Sequence, residues 1–147
     1  MKDLVLGSDE FEKAVAEGME HLKLCMKVCE LQVERNKAFL NEAAWDNWTW
    51  DLGFVKKVAS LPGVEVRRGD QCRFGLRRMG TPKDTRDQRP TGWTSNCGSI
   101  LDQVAVQCNN DDLPNENKHK HSQGGGAVDQ PWSAEGARLE RYLVELV

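Results

Sequence analysis

Apolar residues recur at Phe11, Val15, Met19, Leu22, Met26, Cys29 and Val33. Steps of three and four put them on one face of a helix, and Glu12, Lys13, Glu20, Lys23, Lys27, Glu30 and Glu34 lie mostly off that face. Ser8 is placed to cap the helix. Asp9, Glu10 and Glu12 set negative charge in its first turn, where the backbone dipole favours it. The pattern predicts a helix ending near Asn36. The apolar run Lys37–Glu42 then suits a buried strand, and Ala43–Trp50 a turn crowded with Trp45, Trp48 and Trp50. A second helix is predicted over about 51–60, stopped by Pro62-Gly63, and Val64–Arg67 alternates as a strand. Residues 69–90 read as a long surface loop, Thr91–Ser95 as a short strand and Ser99–Cys108 as a helix. A flexible polar, glycine-rich loop is expected over about 109–130. Pro131 and Ser133 introduce a last helix with Ala137, Leu139, Tyr142, Leu143 and Leu146 as its apolar positions.

Helices alternating with strands predict a single α/β domain over residues 1–147, built on a small, mainly parallel sheet flanked by helices. Three strands make a small sheet, so part of a larger fold is expected, with a second chain as a candidate to complete it. No apolar run approaches the roughly 20 residues of a membrane-spanning helix. The short apolar stretch after Met1 turns acidic at once, unlike a signal peptide. The expectation is an intracellular protein, in cytoplasm or nucleus, with no membrane partner.

The five cysteines, an odd number, argue against a disulfide framework and for free thiols or metal ligands. Cys72, Cys108, His119 and His121 supply two thiolates and two imidazoles, a set that zinc takes in closed structural sites. Cys97 is an alternative ligand. The 35 residues between Cys72 and Cys108 form no compact motif, and solvated histidines in Lys118-His119-Lys120-His121 are the competing reading. His21, Cys25 and Cys29 share a helix face, where core packing is favoured over a second metal site.

The net charge is −3, but the charges are segregated. Residues 64–89 hold 8 basic and 4 acidic side chains, whereas the flanking segments are acidic. Arg67, Arg68, Arg73, Arg77, Arg78, Lys83, Arg86 and Arg89 are therefore candidate contacts to DNA or RNA phosphates, with Phe74 and Trp93 as stacking partners for an unpaired base. The alternative is a solvated loop that balances the acidic ends of its own protein.

Three stretches carry a resemblance: Phe39-Leu40-Asn41-Glu42; Gly63-Val64-Glu65-Val66 leading to Asp70-Gln71-Cys72-Arg73-Phe74-Gly75-Leu76; and Arg89–Asn96 with Cys108, His119 and His121 after it. In this order they resemble the C-terminal half of a Rossmann-like domain related to DNA cytosine methyltransferases, of the kind found in mobile-element and other eukaryotic open reading frames. The resemblance implies that Glu42 takes the catalytic place of a strand-end glutamate that binds the target cytosine, although Ala43-Ala44 follow it where the family has an asparagine and a small or proline residue. The chain has no glycine-rich turn after a first strand to hold S-adenosylmethionine and no Pro-Cys nucleophile. S-adenosylmethionine is not expected for this chain alone. The function expected is a truncated or divergent methyltransferase-like binding or accessory module, stabilised by zinc and not catalytic by itself. A nucleic-acid-binding domain and a non-functional remnant are the alternatives.

Overall fold

The computed structural model describes residues 8–77 and 80–122. Residues 1–7, Arg78, Met79 and the helix expected after Pro131 lie outside them.

Helix α1 covers Ser8–Glu34, as the apolar spacing predicts. It ends where Asn36 takes a left-handed conformation with φ 54°. The Lys37 amide then reaches back to the Gln32 carbonyl at 2.8 Å and the Asn36 amide to that of Val33 at 3.0 Å, a Schellman closure. Strand β1 (Leu40–Ala44), helix α2 (Gly53–Ala59) and strand β2 (Glu65–Asp70) follow. A two-residue strand β3 (Thr85–Arg86) precedes β4 (Pro90–Ser95) and helix α3 (Gly98–Val104). Residues 109–122, read as a flexible loop, contain two single 3-10 turns and the short strand β5 (Lys120–His121).

The main sheet has the order β1-β4-β2, and β4 pairs antiparallel with both neighbours. This corrects the expectation of a mainly parallel sheet and of a partial Rossmann-like methyltransferase fold. Strands β1 and β2 run in the same direction and are joined through α2, so the alternation of helix and strand is real. They are not neighbours, however. Strand β4 returns from the long loop and fills the gap between them, pairing Ser95 with Leu40 on one side and Glu65 on the other. The sole parallel pairing among the described residues is the two-residue ladder β3-β5.

One apolar cluster lies between α1, α2 and the start of β1, where Met26, Cys29, Phe39, Val55 and Val58 are buried. Leu22, Val33, Trp50 and Phe54 pack around it. Beyond the sheet, α3 seats Leu101, fully buried, against β4 and β2. Trp93, at the centre of β4, is 1% exposed. Polar clamps hold the sheet to the end of α1: the Phe39 amide donates to Asn96 Oδ1 at 3.0 Å, and Asn96 Nδ2 donates to the Lys37 carbonyl at 2.8 Å. The Trp50 ring lies against Gly92 so closely that a Cβ at that position would overlap it. Its Nε1 donates to the Ala44 carbonyl at 2.8 Å. Of the three clustered tryptophans, Trp50 joins the core, while Trp45 and Trp48 are exposed.

Candidate metal centre

Strand β2 runs straight into a 3-10 turn, Gln71–Phe74, closed by Gly75 at φ 84°, a conformation glycine adopts without strain. The turn carries Cys72 inward, to full burial. Gln71 anchors it, donating from Nε2 to Glu42 Oε1 and Thr91 Oγ1, both at 3.0 Å. Arg86 Nη1 donates to the Cys72 carbonyl at 3.0 Å.

Cys108 arrives on the segment after α3. That segment lies along the end of β2, where the Asp70 amide donates to the Val106 carbonyl at 3.0 Å. Asp70, 1% exposed, accepts from the Cys108 amide at 2.8 Å on Oδ2 and from Arg68 Nη2 at 3.3 Å on Oδ1. The two turns that follow bring the histidines back. Asn110 brackets the His119 backbone, accepting from its amide and donating to its carbonyl. Strand β5 then pairs with β3, which fixes His121 opposite Arg86.

The result is four ligand atoms, one each from Cys72, Cys108, His119 and His121, all within 4.8 Å of one another. This group could hold a metal ion. Cys108 Sγ lies 3.5 Å from His119 Nε2, and the two imidazoles meet edge to face with centroids 5.1 Å apart. His119 Nδ1 is 2.9 Å from the Asn117 carbonyl and donates to it. That hydrogen bond leaves Nε2 as the lone-pair nitrogen, turned toward the thiols, as second-layer partners do for ligating histidines. His121 Nε2 is buried and has no hydrogen-bond partner.

Burial pushes the Cys72 thiol up to about 12, the nearby Cys108 thiol and Asp70 add to this, and Arg86 opposes it. Burial also lowers the pKa of His119, aided by the positive charges of Arg86 and Arg73 and by His121, while its bond to Asn117 works the other way. The neutral thiol of Cys72 and the neutral imidazole of His119 are thereby favoured.

The remaining sequence candidates are dispersed. Cys97 sits at the start of α3 with Sγ 3.2 Å from Ser99 Oγ, apart from the metal group. Glu42 is half-buried in β1, opposite Trp93, as a partner of Gln71. Arg67 is bound to Glu65 at 2.9 Å and Asp102 at 2.7 Å, and Arg68 to Asp70. Arg77 and Arg89 also have partners, Lys83 is exposed, and Arg73 and Arg86 line a common cleft. Trp93 is too deeply buried to stack on a base, whereas Phe74 is exposed. Along α1, Cys25 Sγ lies 3.6 Å from His21 Nε2, while Cys29 is in the core with its thiol raised to about 11, chiefly by burial. Sequence reasoning missed Asp70, Asn110 and the Asn117 carbonyl, which position Cys108 and His119 through hydrogen bonds that only the fold brings about.

No protein family, no curated protein and no solved structure matches this chain. No helix among the described residues is long and apolar enough to cross a membrane.

Proposed function

We propose that this chain is a zinc-stabilised domain acting as a binding or accessory module, with one zinc ion held by Cys72, Cys108, His119 and His121. The observation that carries the reading is the convergence of one ligand atom each from Cys72, Cys108, His119 and His121 within 4.8 Å, with a buried Nε2 on His121 that has no hydrogen-bond partner among the described residues. A buried polar nitrogen left without a partner costs about 1–3 kcal/mol, which ligation would relieve.

Zinc suits the donor set. Two thiolates and two imidazoles are a closed structural combination, and tetrahedral bonds of about 2.0–2.3 Å imply ligand atoms roughly 3.3–3.8 Å apart. The Cys108–His119 separation of 3.5 Å already lies in that range, and the group's upper bound of 4.8 Å leaves about 1 Å of tightening. Four protein ligands fill a tetrahedron and leave no open position for a substrate or an attacking water. The role proposed for the ion is therefore structural. It ties the turn after β2, the segment after α3 and the histidine-bearing turns into one unit, where few apolar side chains are available to do so.

Cobalt substitution tests the reading. Cobalt(II) added to the metal-free chain is expected to give the intense visible bands of a tetrahedral ion and a thiolate charge-transfer band, both lost on adding zinc. A weak octahedral spectrum without thiolate bands overturns it.

A further inference from the structure

Two arginines beside the Cys72 turn and β3, Arg73 and Arg86, have no acidic partner among the described residues. Arg73 and Arg86 share with Leu113 and Asn117, whose carbonyl accepts from His119, the lining of a cleft of about 140 Å³. Among the described residues neither guanidinium forms an ion pair, and the Arg86 guanidinium donates one hydrogen bond, to the Cys72 carbonyl. The nearby buried carboxylate, Asp70, is already engaged by Arg68. On the zinc reading above, on which this charge balance rests, two thiolates neutralise the ion, so the metal group draws nothing from the arginines.

We propose that this cleft is a phosphate-group site, with Arg73 and Arg86 as its charged walls and the Asn117 amide as a neutral hydrogen-bonding group. Guanidinium forks match the oxygen geometry of phosphate and stay charged at any physiological pH. Size narrows the ligand further. At about 30 Å³ per water, the cleft holds the equivalent of four or five waters. That accommodates one phosphoryl group, and the cleft is open to solvent, so the carrier of the phosphate can extend outward. Free phosphate and the backbone of a single-stranded nucleic acid share this chemistry. Phe74, exposed and adjacent in sequence to Arg73, offers a stacking surface in the second case.

The test uses the metal-loaded full chain, titrated separately with inorganic phosphate and with a short single-stranded oligothymidylate while backbone amide resonances are followed. Shifts centred on Arg73, Arg86 and Asn117 are expected with at least one probe. Phosphate alone identifies a free-anion site; tighter binding of the oligonucleotide identifies a backbone site. Arg73→Gln should weaken binding about tenfold, the scale of one lost charged hydrogen bond. Arg67→Gln, whose guanidinium is paired elsewhere, should leave it unchanged. Metal content and melting temperature of each sample separate failure of this site from failure of the zinc centre. If neither probe shifts those resonances, or if Arg73→Gln binds as the parent does, the proposal is overturned. The resonance map of the parent chain decides the matter even if the variant folds poorly.

Discussion

His119 donates its Nδ1 proton to the carbonyl of Asn117 at 2.9 Å, and this one bond decides which nitrogen faces the thiols. The carbonyl lies only two residues back along the chain, so the turn that places the imidazole also fixes its tautomer. The proposed zinc ligand is then Nε2, 3.5 Å from Cys108 Sγ.

The same logic makes Asp70 a positioning residue. It holds the Cys108 amide at 2.8 Å and touches none of the four ligand atoms as a ligand itself. Asp70→Asn is expected to lower zinc affinity about 10–100-fold while keeping one ion per chain. Competition with a chromophoric chelator measures this, and unchanged affinity would remove Asp70 from the account.

Zinc binding is expected to release about two protons per ion at neutral pH, because both thiols must ionise and that of Cys72 is raised to about 12. Apparent affinity therefore rises with pH through the neutral range and falls in acid. Calorimetric titrations in buffers of different ionisation enthalpy give the proton count directly.

The long helix and the ligand set were legible in the sequence for different reasons. Helix α1 announces itself because a 3.6-residue period repeats over seven apolar positions, a local signal. Cys72, Cys108, His119 and His121 stand out because cysteine and histidine are uncommon and chemically specific. The direction of the sheet was not legible. Whether β4 pairs beside β2 or between β1 and β2 depends on contacts across as many as 59 residues, such as Lys37 to Asn96, and no local pattern encodes them. Within the basic segment, Arg67 and Arg68 belong to β2, where Arg67 pairs with Glu65 and Asp102 and Arg68 with Asp70, and the Asp102 contact is set by the packing of α3 on the sheet rather than by local sequence.

Two sites outside the metal group test the packing. Leu101 is fully buried between α3 and the sheet, so Leu101→Ala should cost about 2–5 kcal/mol in urea unfolding. Gly92→Ala forces a methyl into the Trp50 ring and should cost about 1–3 kcal/mol. Neither change alters a ligand, so one zinc per folded chain should persist in both.

The helix pair carries an acid-sensitive contact. Lys57 binds Glu30 at 2.6 Å and holds its carboxyl below the usual carboxylate range, with Lys27 contributing. A lowered carboxyl pKa adds stability above its unfolded value, which is lost as pH falls through the folded one. Glu30→Gln should flatten that part of the acid branch of the stability curve, measured by melting temperature against pH.

The most direct test of the zinc-stabilised domain is elemental mass spectrometry of protein purified without an affinity tag, read together with circular dichroism before and after chelation. The account predicts close to one zinc per chain, with loss of structure on chelation and recovery on adding zinc back. A folded chain that carries no metal, or that keeps its structure and stability after the zinc is stripped, would contradict it.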